Sequence, residues 1–388
     1  MDQQAVVAKR AVDRIRKGHL WIYRSDVVEI RGATGGDVVN VVDEAGRFHA
    51  MAMFSDRSEI TLRILSTQRE QIDDEWWRTR LRSAFWRRSG ISADTNAYRL
   101  VYAEGDLMPS LIVDRYADVL VMQTLSQGTE RVKETLVRLL AEELNPIAIV
   151  ERNDVKVRKL EGLELQSGVA YGDAPAEIEI LQHGLKFVIQ PLGGQKTGSF
   201  LDQRENRIAA REIARGRALD CFTFNGAFAL HLASRCESVL GIDVSEEAVQ
   251  GARRNAELNG LENVSFIEAN VFDALREMES SGERFDTIVL DPPAFAKNRG
   301  SVRAAIRGYK EINLRALKLL NPGGVLISCT CSYHMSEGMF LDVIADAVVD
   351  ARRRVQLVEK RMQASDHPVL INVPETYYLK CVIARVLD

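Results

Sequence analysis

Apolar runs of two lengths predict alternating strands and helices in the second half of the chain. Residues 218–245 read ALDCFTFNGAFALHLASRCESVLGIDVS, where one short apolar run reaches Asp220 and another reaches Asp243. Between them, a longer apolar stretch covers Ala227–Ala233. Short apolar runs are typical of buried parallel strands, and the stretch between them is typical of a crossover helix. The pattern therefore predicts a βαβ unit.

Strands and helices go on alternating toward the end of the chain. A helix is predicted over Glu246–Leu258 with Ser245 as its N-cap, followed by a strand over Val264–Ile267. The apolar runs Ile288–Leu290 and 323–329 predict two more strands. Because strands that alternate with helices form a parallel sheet covered on both faces, we predict an α/β fold of the Rossmann type.

The first half of the chain is patterned differently. Short strand-like runs at Val38–Val42 and Glu59–Leu65, separated by turn residues, predict a small β-rich module. Residues 71–90 have apolar side chains at helical spacing and predict an amphipathic helix, whose tryptophans we place in the core. Strands on both sides of a helix over Glu130–Leu144 predict a central α+β segment. We expect three domains, at residues 1–70, 71–185 and 186–388.

Composition describes a soluble globular protein, with 46% hydrophobic and 27% charged residues. The five cysteines are odd in number and all lie in the second half, which favours reduced thiols in a cytoplasm. The chain starts without a secretory pattern, and no apolar run approaches the roughly 20 residues that span a bilayer. We therefore expect a cytoplasmic protein without a membrane partner.

The net charge of −4 argues against a uniformly basic nucleic-acid coat, so contact with RNA requires a local patch. Residues 9–31 combine basic side chains with Trp21 and Tyr23, which suits phosphates and stacked bases. The arginines from Arg78 to Arg88 are a second candidate patch. The alternative for both is a solvated helical face, with Trp21 as a core residue.

The βαβ unit has features of a site for an adenosine-containing cofactor. Gly226 lets the backbone approach a ligand, and Asp243 lies at the distance along the chain where an acid binds ribose hydroxyls. One glycine and no lysine argue against a pyrophosphate, and S-adenosylmethionine fits better. Asp220 suits the positive charge of that cofactor. The alternative is a structural crossover with an aspartate at this position by chance.

Two other loops are candidates for cofactor contacts. The stretch QKTGSFLDQRENR has small residues at Thr197 and Gly198 and leads into a helix that Asp202 could cap. After the third strand, Asn270 and Val271 are placed to contact an adenine. The alternative for Asn270 is a simple helix cap.

Asp291 and Cys331 follow central strands, at the edge of the sheet where ligands bind. Strand alternation puts Cys329 on the same face as Cys331, but Cys331 is nearer the end of its strand and is the better nucleophile. The alternative is that both cysteines are small core residues. A metal site ranks last, because no histidine lies at ligand spacing to this pair.

Several motifs carry a resemblance to a known family. The segments GHLWIYRSDV and GDVVNVVDEAGRF resemble a PUA domain, which implies RNA docking. Further along stand QKTGSFLDQR, DCFTFNGAF, LDPPAFAKN, RGYKEIN and SCTCS. In this order, over nearly the full length, they resemble the PUA-containing class I S-adenosylmethionine-dependent 5-methylcytosine methyltransferases of large-subunit ribosomal RNA. The resemblance implies a class I methyltransferase sheet behind a PUA domain and a central α+β domain.

The resemblance implies a catalytic cysteine at Cys331, an acid at Asp291, and a loop from Lys196 to Arg204 that folds over the cofactor. For this chain, the predicted partner is ribosomal RNA of the large subunit. We expect no metal site, and we also predict a homodimer. The predicted cofactor site comprises Lys196, Thr197, Gly198, Phe200, Asp202, Gln203, Arg204, Asp220, Phe222, Asn225, Gly226, Asp243, Ser245, Asn270, Val271, Asp291 and Pro292.

The chemistry of cytosine explains these residue types. C5 is a poor nucleophile until a thiolate adds at C6, and an acid near N3 stabilises the developing charge. The target base must leave its stack to be reached. The chain departs from the family at Asn270, where relatives often have aspartate, and at Cys329, an extra thiol. Methylation of a base nitrogen and a non-catalytic RNA-binding role are the alternative functions.

Overall fold

The computed structural model describes residues 3–193, 198–296 and 298–388, and of Ser92 and Arg299 it describes the backbone alone. The chain forms two compact units. The first comprises Met1–Gly184, Ile189–Leu201 and Asp366–Thr376, and the second comprises Leu185–Val188, Asp202–Ser365 and Tyr377–Asp388. The segment Asp366–Thr376 thus returns to the first unit from late in the sequence. The division into three domains stays a prediction.

The N-terminal part of the first unit is β-rich, as predicted. Its elements are β1 (Gln4–Val7), α1 (Lys9–Arg16), β2 (Trp21–Tyr23), β3 (Val27–Arg31), β4 (Val38–Asp43), β5 (Phe48–Phe54) and β6 (Ile60–Ser66). The strands form one sheet in the order β2-β6-β5-β4-β1-β3. Ile22, Val41 and Leu62 are fully buried in its core.

A second sheet follows in the same unit. Its elements are α2 (Asp74–Arg87), β7 (Ala97–Tyr102), β8 (Leu111–Tyr116), β9 (Val119–Thr124), α3 (Gln127–Arg131), α4 (Lys133–Leu144), β10 (Ala148–Asn153) and β11 (Gln166–Gly172). The strand order is β11-β10-β9-β8-β7. Helix α2 buries Trp76, Trp77 and Leu81, as its apolar spacing predicts. Trp86 is 77% exposed, so the prediction of core tryptophans is wrong for this one.

The second unit contains the predicted α/β sheet. Strand β12 (Ile178–Gln182) belongs to the first unit, and β13 (Leu185–Ile189) follows it along the chain, before the sheet. Its strands are β14 (Arg217–Cys221), β15 (Ser238–Asp243), β16 (Val264–Glu268), β17 (Phe285–Leu290), β18 (Leu320–Thr330), β19 (Val355–Met362) and β20 (Lys380–Val386). Its helices are α5 (Arg204–Ile213), α6 (Ala227–Ala233), α7 (Glu246–Leu258), α8 (Val271–Ser281), α9 (Val302–Leu319) and α10 (Glu337–Ala351). Short 3-10 helices cover Arg24–Asp26, Ile91–Ala93, Ala103–Asp106, Lys156–Glu161, Leu201–Gln203, Arg299–Ser301 and Pro374–Thr376.

The strand order in this sheet is β16-β15-β14-β17-β18-β20-β19. The first five strands are parallel, and β20 is antiparallel to both of its neighbours. The order reverses between β14 and β17, where an open α/β sheet forms its ligand crevice. Apolar residues such as Leu219, Ile288 and Leu326 are fully buried in the core beneath that crevice. The bounds predicted for α6 and α7 are confirmed.

Candidate active site

Four predicted site residues lie at one edge of the α/β sheet. Asp220 lies near the carboxyl end of β14, Asp243 ends β15, Asp291 follows β17 and Cys331 follows β18. These strands are parallel neighbours, so their carboxyl ends meet at the same edge. The structure therefore brings together residues that span more than a hundred positions of the sequence.

The loop after β14 has a strained backbone. Phe222 and Phe224 have φ angles of +64° and +50°, in the left-handed region that costs a residue with a side chain about 1–3 kcal/mol. Hydrogen bonds hold the loop in place, since the Phe224 amide donates to Asp243 Oδ2 at 2.9 Å and Thr223 Oγ1 donates to Asp220 Oδ2 at 2.5 Å. Such strain is concentrated at ligand sites, where a fixed loop shape is needed.

Gly226 is required here by packing as well as by backbone conformation. Its φ is +80°, and an added Cβ would lie 2.9 Å from Leu230, 3.0 Å from Phe266 and 3.1 Å from Ala252. Asn225 is held through its carbonyl oxygen, which accepts a hydrogen bond from Asn255 Nδ2 at 3.0 Å. The glycine thus shapes the loop whether or not a ligand approaches it.

Asp220 is fully buried, and its two oxygens differ. Oδ2 accepts hydrogen bonds from Thr223 Oγ1 and from the Ala229 amide at 2.9 Å. Among the described residues, none donates a hydrogen bond to Oδ1. Burial raises the pKa of Asp220 to about 7, with a further upward effect from Asp291 and a downward one from Arg207. A donor or a cation from a ligand would satisfy Oδ1.

The carboxylate of Asp243 is half-buried and holds the loops around it. Oδ2 accepts from the Phe224 amide and Oδ1 accepts from the Ser245 amide at 3.0 Å. Ser245 is the N-cap of α7, as predicted, and accepts from the Ala248 amide at 3.3 Å. Contact of Asp243 with a ribose stays a prediction.

Asp291 is half-buried and linked to helix α5. Gln203 Nε2 donates to Asp291 Oδ1 at 2.8 Å, and Gln203 Oε1 accepts from Asn206 Nδ2 at 2.7 Å. Pro292 beside it is buried. The predicted Gln203 and Asp291 therefore meet within the second unit.

Arg207 was not among the predicted site residues, although the QKTGSFLDQRENR stretch ends on it. Its side chain is 3% exposed, and the charges of Asp202, Asp220 and Asp291 act on it. Burial lowers the pKa of Arg207, and these carboxylates oppose that effect. Buried charges need such partners, so Arg207 links the acids of the site electrostatically.

The segment predicted to fold over the cofactor is only partly described. Lys196 and Thr197 lie outside the described residues. Gly198 has a φ of +132°, and an added Cβ would lie 2.5 Å from Ile189, so only glycine fits there. Gly198 and the half-buried Phe200 belong to the first unit.

The prediction that Asp202 caps helix α5 is wrong. The N-cap is Gln203, and it makes no capping bond with its side chain. Asp202 Oδ2 instead accepts a hydrogen bond from Tyr378 Oη at 2.6 Å, so its carboxylate is committed to a tertiary contact. Arg204 is 3% exposed and contacts the carboxylate of Glu205 at 3.2 Å.

The two candidates for an adenine contact have structural roles. Asn270 caps α8, because its Oδ1 accepts from the Phe272 amide at 2.9 Å, which is the alternative considered for it. Val271 is 3% exposed and packs in the core. Asn270 is exposed, so its side chain remains accessible to a ligand while it caps the helix.

The two cysteines of the SCTCS motif have different surroundings. Cys329 is fully buried and faces Cys381 on the neighbouring strand. A contact with Cys381 and burial raise the pKa of Cys329 well above its ordinary value. Cys331 is half-buried, just beyond the end of β18. Cys331 is therefore the more accessible thiol.

Hydroxyl groups hold the backbone on both sides of Cys331. Thr330 Oγ1 donates to Tyr309 Oη at 2.8 Å, and Tyr309 Oη lies 3.0 Å from Ser332 Oγ. The Ala296 amide also donates to Ser332 Oγ at 3.2 Å. Tyr309 belongs to the RGYKEIN motif, to which sequence reasoning gave no role. It joins the cysteine loop to the loop that follows Asp291.

Aromatic rings pack behind the same loop. The ring of Phe295 lies 6.3 Å from Phe222, 5.9 Å from Phe272 and 4.7 Å from Tyr309, centroid to centroid. A Cβ on Gly308 would lie 3.2 Å from Phe295, so the helix passes close to this ring. The ring of Phe222 therefore packs on Phe295 beside the strained loop.

The arginines expected to bind RNA mostly have carboxylate partners. On α2, Arg78 and Arg82 contact Glu143. The buried Arg88, the C-cap of that helix, contacts Asp106 at 2.6 Å. In the N-terminal strip, Arg10 and Arg14 bind Asp26, and Trp21 Nε1 donates to Glu104. Lys9 and Lys17 are exposed.

No group of three or more histidine, cysteine or acidic side chains suited to a metal ion occurs among the described residues. The described helices include none with the length and apolar character needed to cross a membrane.

Comparisons with known proteins agree with the architecture. Residues 6–67 match the PUA-like domain family and residues 214–366 match a methyltransferase domain family. Solved structures of similar fold include a candidate SAM-dependent methyltransferase from Streptococcus mutans, with a TM-score of 0.85 and 20% identity over 100% of both chains. Another is a candidate methyltransferase complexed with SAH, with a TM-score of 0.86 and 20% identity over 100% of both chains.

Curated relatives are similar over the whole length. The ribosomal RNA large subunit methyltransferase I of Erwinia tasmaniensis is 40% identical over 100% of both chains. The protein of the same name from Shewanella denitrificans is 42% identical over 96% of both chains. With this identity and coverage, the chain belongs to the family of ribosomal RNA large subunit methyltransferase I.

Proposed function

We propose that this protein transfers a methyl group from S-adenosylmethionine to C5 of a cytosine in large-subunit ribosomal RNA. The observation that carries the proposal is the half-buried Cys331 at the sheet edge that also presents Asp220, Asp243 and Asp291. Membership of the family supports the substrate class. The reaction belongs in the cytoplasm, where ribosomal RNA is found.

The residues present fit S-adenosylmethionine. Asp220 Oδ1 has no donor among the described residues, and a cationic cofactor would supply one. Asp243 ends the second strand of the βαβ unit, where a carboxylate can accept bonds from ribose hydroxyls. When bound, the cofactor supplies the methyl group that C5 takes.

Cys331 activates the base. Its thiolate forms a bond to C6, and the electron pair of the C5–C6 double bond shifts to C5 and is delocalised toward N3, which makes C5 nucleophilic. A proton held between Asp291 and N3 would stabilise the negative charge that develops there. After C5 has taken the methyl group, a base or a water molecule removes the C5 proton, the electron pair of that C–H bond restores the C5–C6 double bond, and the S–C6 bond breaks to release the thiolate.

The hydroxyl contacts around Cys331 support this role. Thr330 and Ser332 are fixed through Tyr309, so the backbone that carries the thiol is held between them. Fixed geometry matters because a reacting atom displaced by an ångström loses much of the rate. Cys329 is a poorer candidate, because it is fully buried and its pKa is raised.

Large-subunit ribosomal RNA transcribed with 5-fluorocytidine tests the mechanism. Fluorine at C5 blocks proton loss, so an enzyme that attacks C6 stays covalently attached to the RNA. Wild type and Cys329→Ala should form the adduct with S-adenosylmethionine, and Cys331→Ala should form none. Denaturing gels and mass spectrometry of the attached peptide measure this.

Two outcomes would contradict the proposal. Full methylation by Cys331→Ala would favour methylation of a base nitrogen, which needs no thiolate. Absence of methylation in any RNA, with cofactor binding intact, would favour a non-catalytic RNA-binding role. The homodimer stays a prediction, and the mass of the protein in solution tests it.

A further inference from the structure

Lys380 lies beside the segment that carries Cys331. Strand β20 is antiparallel to β18 and pairs Lys380 with Thr330, the residue before the cysteine. The lysine Nζ donates to the Tyr378 carbonyl oxygen at 3.2 Å and lies 3.5 Å from the carbonyl oxygen of Ser332, the residue after the cysteine. Lys380 is therefore paired with the residue before Cys331, and its amine contacts the carbonyl oxygen of the residue after Cys331.

The side chain of Lys380 is buried, with 3% of its surface exposed. Lysine is rarely buried without a functional or electrostatic partner, because removing the ammonium group from water is costly. Its Nζ lies 5.0 Å from the centroid of the Tyr377 ring, and its two hydrogen bonds go to backbone carbonyls. Neither carbonyl carries a full charge to balance an ammonium group.

Burial and the neighbouring charges shift the pKa of this lysine in opposite directions. Burial lowers the pKa of Lys380 to about 8, while the charges of Cys331 and Glu337 raise it. The Glu337 carboxylate is shared, since it accepts from Lys360 Nζ at 2.5 Å and from Tyr377 Oη at 3.0 Å. The charge of Cys331 also acts on Tyr309, whose pKa is raised mainly by burial.

We propose that Lys380 takes the proton of the Cys331 thiol and holds the resulting thiolate as its ion pair. When Lys380 is the neutral amine, a form that its lowered pKa makes accessible near neutral pH, it accepts the proton from sulfur, and the pair changes from amine and thiol to ammonium and thiolate. Lys380 is a positioning residue, because it acts through Cys331. The catalytic role of this ion pair rests on the proposed function. The ion pair itself does not require RNA.

Cys329 shows the contrast within the same motif. Its surroundings are Cys381 and Asp291, and both raise the pKa of its thiol. A thiol beside a lysine has its pKa lowered, and an opposite charge within about 4–6 Å commonly shifts a pKa by about 1–3 units. The proposal therefore predicts that the pKa values of the two thiols are shifted in opposite directions.

Alkylation of the full-length protein by iodoacetamide between pH 5 and 10 tests the ion pair without RNA. Only the thiolate reacts, so the pH of half-maximal rate reports the pKa of Cys331, with the modified peptide identified by mass spectrometry. Wild type should have its midpoint at least one unit below the ordinary value of about 8.5. Lys380→Met should raise the midpoint by about one unit or more.

Lys380→Arg and Lys310→Met are the matched controls. Arginine keeps the positive charge beside the thiolate, so the midpoint should stay below that of the methionine variant. Lys310 is paired with Asp350 at 2.8 Å on α9 and α10, and its replacement should leave the midpoint unchanged. A folded Lys380→Met protein with a wild-type midpoint would overturn the inference.

A wild-type midpoint at or above 8.5 would overturn the inference as well, and this measurement needs no variant. The outcome is independent of the adduct experiment with 5-fluorocytidine. If the midpoint is low and depends on Lys380 but no RNA adduct forms, the proposed function fails and the ion pair stands. If the adduct forms and the midpoint is independent of Lys380, only the lysine inference fails.

Discussion

Asp220 is a fully buried carboxylate whose two oxygens have different surroundings. Two donors bind one of its oxygens, and the other oxygen has no donor among the described residues. Burial is the largest cause of its raised pKa. A residue buried in this way destabilises the protein when it ionises unless a ligand compensates, and this is typical of binding sites.

The sign of the pH effect of Asp220 follows from its pKa values. The pKa is about 7 in the folded protein and has an ordinary value of 3.8. Between these values the unfolded chain has lost the proton and the folded protein has kept it, so stability falls as pH rises through this window. The loss is complete above the folded pKa.

Asp220→Asn should therefore gain stability relative to wild type as pH rises. We expect the difference in unfolding free energy between variant and wild type to grow by about 2–4 kcal/mol from pH 4 to pH 8. Urea unfolding at both pH values measures it, with Asp342→Asn, a position on α10, as the control. An equal difference at both pH values would contradict the raised pKa.

At the scale of elements, helix α9 links the two loops on which the chemistry depends. Tyr309 binds Thr330 and Ser332 after β18, and Ser332 binds the loop after β17 through the Ala296 amide. Gly308 lets the same helix pass close to Phe295. Two residues of the RGYKEIN motif, Gly308 and Tyr309, thus have a structural role that neither the composition nor the spacing of the motif indicates.

Tyr309→Phe should keep the fold but loosen this link. The hydroxyls of Thr330 and Ser332 would lose a buried partner, which costs about 1–3 kcal/mol of stability. We expect the rate of adduct formation with 5-fluorocytidine RNA to fall roughly tenfold, as a barrier increase of about 1.4 kcal/mol implies. Tyr171→Phe, at an exposed position in the first unit, is the control and should have no effect. An unchanged rate in Tyr309→Phe would show that the link does not position Cys331.

At the scale of the whole molecule, removing residues 1–70 is a poor test of RNA binding. The first unit includes both β-rich sheets. Within it, the buried ion pair of Arg63 and Glu161 at 2.7 Å joins residues 1–70 to the part of the unit that the deletion would leave. Breaking such a pair by removing one partner is strongly destabilising, by about 3–5 kcal/mol. Substitution of exposed lysines leaves this pair intact.

The double variant Lys9→Glu and Lys17→Glu should weaken RNA binding and leave cofactor affinity unchanged. Each lost phosphate contact should make the negative slope of log affinity against log salt shallower by about 0.7 on single-stranded RNA. Filter binding at several salt concentrations measures the slope, and Lys310→Glu in the second unit is the control. An unchanged slope would show that the N-terminal strip does not contact phosphates.

Local signals in the sequence determined the elements of the second unit and the placement of its main candidates. The bounds of α6, the N-cap Ser245, the acid that ends β15 and the acid that follows β17 are predicted from periodicity and from the residues at strand ends, which are properties of neighbouring positions. The motifs, through their identity and their order along the chain, also indicated the family.

Only the tertiary structure decided which side chains meet. Lys380 reaches the Cys331 segment because β20 pairs with β18. The charges of Asp202, Asp220 and Asp291 act on Arg207 in the folded chain. Asp202 binds Tyr378 instead of capping its helix, and Asn270 caps α8. These contacts depend on the order of strands in the sheet and on competition for buried hydrogen bonds. Strand order and competition for buried hydrogen bonds are not properties of neighbouring positions. Periodicity and motif spacing therefore do not predict these contacts.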